Sequence, residues 1–139
     1  MIALWVAAHY FRRPLRYIGF NGAGKQVRDF LHIDDLAELI IEQLGNWDTW
    51  RGCTLNVGGG VAHSLSLAEC TALCQQITGN SIPIAADLDA RSADPRIYVS
   101  DTRRALSFTD WRPARGPQKT LSDIFDWIRA EESSLRAVL

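Results

Sequence analysis

The order of residues predicts an α/β fold, on three observations. Apolar side chains at helical spacing alternate along the chain with short β-favouring runs. Two acid-bearing capping signals open helical stretches, and glycine or proline punctuates nearly every change of pattern. With 139 residues there is room for one domain, spanning 1–139, and one hydrophobic core.

Each element follows from its own stretch. Ile2, Trp5, Val6 and His9 recur at helical spacing until Pro14 ends the segment. Leu15 to Phe20 reads as a short strand and Asn21 to Gly24 as a turn. Val27 to Ile33 alternates apolar and polar side chains and is expected to be a strand. Asp35 with Glu38 forms an expected capping box, and Leu36, Leu39, Ile40 and Leu44 give the helix after it one apolar face, ending at Gly45. Beyond a Trp-rich loop, Cys53 to Val57 is a compact apolar run expected to be a buried strand. Gly58-Gly59-Gly60 after it suits a turn with positive φ. Ser66 and Glu69 make a second capping box, Leu67, Cys70, Leu73, Cys74 and Ile77 its apolar stripe, and Gly79 its stop. Ile82 to Ala85 and Arg96 to Val99 read as short strands on either side of a polar loop. Thr102 to Phe108 is a short helix broken by Trp111-Arg112-Pro113, and Thr120 with Asp123 is expected to cap a last helix carrying Leu121, Ile124, Phe125 and Ile128.

Composition narrows the function. Hydrophobic residues make up 47% and charged residues 22%, which is globular. Fifteen basic side chains against sixteen acidic ones leave a net charge of -1, which supplies no field for nucleic acid or membrane binding. All the basic residues but Lys25 and Lys119 are arginines, the residue suited to forked contacts with phosphate and carboxylate, so anionic small molecules remain open as ligands. The three cysteines lack the pair-of-pairs spacing of a zinc site and point to a reducing, cytoplasmic compartment. The apolar opening, Met1 to Phe11, has no basic start or cleavage site and is far short of the ~20 residues that span a bilayer.

Glycines offer two motifs that fail on inspection. Gly19 to Lys25 fits the front of a phosphate loop, but Gln26 stands where Ser or Thr is needed, and a strand pattern follows where a helix should. Gly58-Gly59-Gly60 lacks the spacing of a dinucleotide fingerprint. No Gly-x-Ser-x-Gly elbow occurs, and His32, beside Asp34 and Asp35, reads as a structural histidine before a catalytic base. Two arginine constellations remain: Gln26-x-Arg28-Asp29 after a glycine turn, and Arg91-x-x-Asp94 in a loop. Each has the character of a diphosphate grip with a hydroxyl acceptor, and each is equally the pattern of a surface ion pair.

Taken in order, several runs resemble the extended short-chain dehydrogenase/reductases, the NAD-dependent epimerases and dehydratases of nucleotide sugars. They are Arg13-Pro14-Leu15 with Tyr17-Ile18-Gly19-Phe20, then Gly24-Lys25-Gln26-Val27-Arg28-Asp29 and Leu31-His32-Ile33-Asp34-Asp35-Leu36. Leu55 to Gly60, the Ser66 to Glu69 helix start, Arg91-Ser92-Ala93-Asp94 before Tyr98 to Asp101, and Trp111-Arg112-Pro113 complete the series. Within that family the chain is most similar to the CDP-paratose (CDP-tyvelose) 2-epimerases. The resemblance implies the C-terminal, substrate-binding portion of an extended Rossmann-type fold, with the N-terminal Rossmann half missing. No residue is expected to be catalytic. Tyr10, Tyr17 and Tyr98 are followed four residues on by Pro14, Asn21 and Thr102, so the family's Tyr-x-x-x-Lys pair is absent.

Carried over residue by residue, Arg28 and Arg91 would converge on the diphosphate, Asn56 would line the nucleotide pocket, Asp94 would accept from the ribose, and Gln26 matches the motif. NAD is the cofactor of the parent family and is not expected to bind this chain alone. Expected partners are a nucleotide-diphosphate sugar, the missing Rossmann half and, through Cys53 to Val57 and the face of Ile2, Trp5 and Val6, other copies of the chain. A non-catalytic binding module, or a half-enzyme completed by another polypeptide, is the alternative to an epimerase portion.

Overall fold

A computed structural model describes residues 2–88 and 94–138. The opening apolar stretch is a helix, α1 (Ile2–Tyr10), with Trp5 to His9 all buried. It is apolar around its circumference because it lies between two other helices, α4 (Leu67–Thr78) and α6 (Pro117–Ala130). Trp5, Val6, Ala7, Cys70, Cys74, Leu121 and Ile128, with Phe30, form the core where the three meet. Trp5 and Val6 are therefore covered within their own chain, and the expected exposed face there is not found.

Two small sheets flank this core. β1 (Leu15–Ile18) pairs in parallel with β4 (Ile84–Asp87), Leu15 opposite Ile84. In the second sheet β2 (Val27–Asp29) lies between β3 (Ser64–Ser66), antiparallel to it, and β5 (Ile97–Tyr98), parallel to it. Gly22, at φ +63, lets the turn between β1 and β2 close onto Ala86 of β4, where an added Cβ would lie 2.3 Å from the Ala86 Cβ.

The strand expected over Val27 to Ile33 stops at Asp29, because Ile33 already belongs to α2 (Ile33–Gly45). The N-cap of α2 is His32, whose Nδ1 accepts from the Asp34 N–H, and not Asp35. Asp35 is fully buried and accepts the backbone N–H groups of Ala114 and Arg115 at 3.1 and 2.9 Å while pairing with the Arg115 guanidinium. Its carboxylate is spent on holding a distant segment, so it cannot cap. The His32 Nε2, 3.0 Å from Asp123, ties α2 to α6 and makes this histidine structural. The Trp-rich loop holds one further turn of helix, α3 (Trp47–Trp50).

Cys53 to Val57 is not a strand: it has no ladder partner among the described residues. Gly58 and Gly59 are set by space and not by positive φ, which only Gly60 adopts. A Cβ on Gly59 would lie 1.8 Å from the Phe30 carbonyl oxygen, and one on Gly58 2.4 Å from Asp29. Around α4 the expected capping box is present, Ser66 and Glu69 exchanging hydrogen bonds, and Gly79 closes the helix in the left-handed region. The last long helix begins three residues before Thr120, at Pro117, whose fixed φ suits a first helical turn; short helices α5 (Arg103–Leu106) and α7 (Glu132–Leu135) complete the described chain. No helix among the described residues is long and apolar enough to cross a membrane.

Candidate functional site

Gln26 immediately precedes β2 and Arg28 lies within it, so side chains two apart point to the same side of the sheet. That side opens on a cleft of about 760 Å³. Its walls are largely apolar, with Trp5 from α1, Phe30 after β2, and Leu65 and Leu67 around the start of α4. Trp5 is fixed there: its Nε1 donates to Thr71 Oγ1 at 3.0 Å, the Tyr17 hydroxyl donates to the same oxygen at 2.7 Å, and the two rings stack at 5.9 Å.

The polar groups of the cleft are few. Arg28 is partly buried; its Nη1 donates to the Val27 carbonyl at 2.7 Å and its Nη2 is paired with Asp94. Gln26 is nearly buried, and its Nε2 donates to the Ile18 carbonyl while its Oε1 has no hydrogen-bond partner. A buried acceptor left unmatched is uncommon in a folded protein. Arg16 of β1 lies at the rim, 3.4 Å from Asp87. Cys70 closes the inner end as a small hydrophobe, and a hydrogen bond with it, then burial, pushes the Cys74 thiol up. The cleft thus offers two guanidinium groups, the Gln26 amide and aromatic walls. Among its described lining residues the one carboxylate, Asp94, is already matched to Arg28.

Of the five residues singled out in the sequence, three meet here: Gln26, Arg28 and Asp94. Arg91 lies outside the described residues. Asn56 lines a separate hollow of about 410 Å³ with Tyr98, Ser100 and Asp101. Asp29, adjacent to Arg28, faces away and accepts the Gly60 N–H at 3.0 Å, which anchors the glycine turn. Sequence reasoning missed Trp5, Phe30 and Arg16 as lining. For Arg16 the signal was present, a charged residue alternating with apolar ones on an expected strand. No group of three or more potential metal ligands occurs among the described residues.

No protein-family model matches the chain. Over 107 residues it is 33% identical to the CDP-paratose 2-epimerase of Salmonella typhi, which covers 77% of this chain and 31% of that protein. It is also 33% identical over 93 residues to a UDP-glucose 4-epimerase of Halalkalibacterium halodurans, 65% of this chain and 26% of the other. Among solved structures, MoeE5 in complex with UDP-glucose and NAD superposes on 94% of the chain with a TM-score of 0.80 at 26% identity, using 42% of its own length. UDP-glucuronic acid 4-epimerase from Bacillus cereus, in complex with UDP-glucuronic acid and NAD, gives the same TM-score at 21% identity over 40% of its length. The chain spans about a third of the length of the curated relatives it matches. The homologues of this chain are epimerases of the NAD-dependent epimerase/dehydratase family, and its mixed α/β fold with parallel strands is that of part of their Rossmann-type architecture.

Proposed function

We propose that the chain is the substrate-binding portion of an NAD-dependent nucleotide-sugar epimerase, and that its cleft takes the nucleoside diphosphate of the substrate. The observation that carries this reading is that the Arg28 guanidinium and the Gln26 amide line one largely apolar cleft. The guanidinium matches a phosphate oxygen pair, the Gln26 oxygen a ribose or sugar hydroxyl, and Trp5 and Phe30 the faces of a base or sugar ring. Asp94 is the second hydroxyl acceptor once an anion has taken its place on Arg28. Arg91, three residues before Asp94, is the second grip on the diphosphate. Asn56, in its separate hollow, serves a more distant part of the ligand.

In such an epimerase NAD supplies the hydride acceptor when bound. Gly58-Gly59-Gly60 lacks the fingerprint spacing for it, and the first two glycines answer to packing within the chain: an added Cβ on Gly59 would meet the Phe30 carbonyl, and one on Gly58 would meet Asp29 and Ser100. No redox step is assigned to the residues of this chain. Free thiols at Cys53, Cys70 and Cys74 fit a reducing, cytoplasmic setting.

Titration calorimetry with CDP, UDP and inorganic pyrophosphate tests the reading. Charged hydrogen bonds are worth roughly 1.5–3 kcal/mol each, so Arg28→Ala should weaken nucleoside diphosphate binding about 10- to 100-fold while the melting temperature is kept. A wild-type chain that binds neither nucleotide, or an Arg28→Ala chain that binds as well as wild type, overturns it.

A further inference from the structure

We propose that Arg16 selects the base of the ligand, its guanidinium fork favouring a base with two adjacent hydrogen-bond acceptors on one edge, as cytosine and guanine have, over uracil and adenine. The inference rests on the reading of the cleft as a nucleoside diphosphate site and assigns a role to the one cleft cation that this reading leaves unused.

Arg16 is the second residue of β1, paired in register with Ala85 of β4. It and Ile18, two residues apart on that strand, line the same cleft as Gln26 and Arg28. β1 and β2 belong to different sheets, and the Gln26 amide ties them together at the cleft by donating to the Ile18 carbonyl. The two guanidinium groups therefore stand on different strands of one cleft. They are held very differently. Arg28 is 25% exposed and bonded to both the Val27 carbonyl and Asp94. The Arg16 side chain is 64% exposed, and its Nη1 donates to Asp87 at 3.4 Å, the outer limit of hydrogen-bond length. An exposed pair of that length contributes little, so a ligand can engage the group at small cost. Nε and Nη2 of Arg16 make no hydrogen bond among the described residues.

The side of the cleft that Arg16 occupies suits a flat ring. Trp5 of the cleft wall stacks on Tyr17, the neighbour of Arg16 in β1, and Leu4, Leu15 and Ile18 add apolar surface there. With Arg28 given to phosphate, and Gln26 and Asp94 to hydroxyls, a base lying against Trp5 presents its edge to Arg16. A guanidinium only donates, and its paired N–H groups match two acceptors side by side. Cytosine offers O2 and N3, and guanine O6 and N7. In uracil the N3–H lies between the two carbonyls, and in adenine the amino group stands beside the ring nitrogens N1 and N7, so the fork meets a donor. A lysine at this position would keep the charge and lose the fork.

Titration calorimetry of the full chain with CDP, UDP, GDP and ADP tests the assignment, because each pair holds size and charge constant and differs at the base edge. CDP should bind more tightly than UDP, and GDP than ADP, each by roughly tenfold. Arg16→Leu and Arg16→Lys should both abolish these preferences while keeping the melting temperature. Arg28→Ala should weaken all four ligands and leave both ratios as in the wild type, which a merely structural role for Arg16 would not produce. A preference that survives Arg16→Leu, or that Arg16→Lys retains in full, overturns the proposal. Equal binding of all four overturns it alone, whereas a chain that binds none of them overturns the reading of the cleft and this proposal with it.

Discussion

The carboxylate of Asp94 is paired with Nη2 of Arg28, the group that the proposed diphosphate would engage. An incoming anion must displace it, and the displaced Asp94 is then free to accept a hydroxyl. Asp94→Asn keeps the shape and removes the competing charge, so pyrophosphate should bind several-fold more tightly to this variant. CDP should gain less, because the neutral amide is a poorer partner for the ribose. Equal weakening of both ligands in calorimetry would show that Asp94 supports Arg28 and does not compete for it. Half of this arrangement is legible in the sequence. Gln26 and Arg28 lie two apart on a strand pattern, and alternation alone puts them on one face. The Arg28–Asp94 pair joins residues 66 apart, and nothing local announces it. Asn56 carried no local signal of its direction, and the loop around it leads to a different hollow.

At the scale of elements, legibility tracks how local the stabilising contacts are. The start of α4 was readable because Ser66 and Glu69 satisfy each other within four residues: the Ser66 hydroxyl and N–H donate to the Glu69 carboxylate at 2.6 and 2.7 Å, and the Glu69 N–H donates back. The starts of α2 and α6 were misplaced because Asp35 is held by Ala114 and Arg115, and Asp123 by Lys119 and His32. A residue that looks like a cap can be committed elsewhere. Cys53 to Val57 has the composition of a strand, but a strand also needs a neighbour. Ser66→Ala should cost about 1 kcal/mol in urea unfolding at neutral pH. Ser66, by side chain first and backbone second, holds the Glu69 carboxyl below its usual range. The stability from that shift is present above the unfolded value of about 4.3 and is lost as pH falls through the depressed folded value. The gap between wild type and Ser66→Ala should therefore narrow as pH falls from 6 to 3. A gap that is constant or widens on acidification would show that the hydroxyl does not act through the Glu69 carboxylate.

The chain spans about a third of the length of the curated relatives it matches. Its α/β alternation was plain in the sequence, since periodicity and turn residues are local, whereas the meeting of α1, α4 and α6 was not, because nothing in α1 names its two partners. These elements enclose the largely apolar cleft that Gln26, Arg28 and Asp94 line. Among the described lining residues of the cleft the one carboxylate is paired with Arg28 and no histidine occurs, and Gly58 and Gly59 are packed against their own chain. On the proposed reading, holding a nucleoside diphosphate and moving a hydride are divided between this portion and the rest of an epimerase, and the chain alone should do only the first. Purified chain incubated with NAD and a panel of CDP- and UDP-sugars should leave every sugar unchanged by proton NMR, while the same preparation binds CDP or UDP in calorimetry. Binding without turnover is the outcome expected on that reading. Interconversion of any sugar above a heat-killed control would mean that this chain brings together a base and a hydride acceptor of its own, and the division of labour would fall.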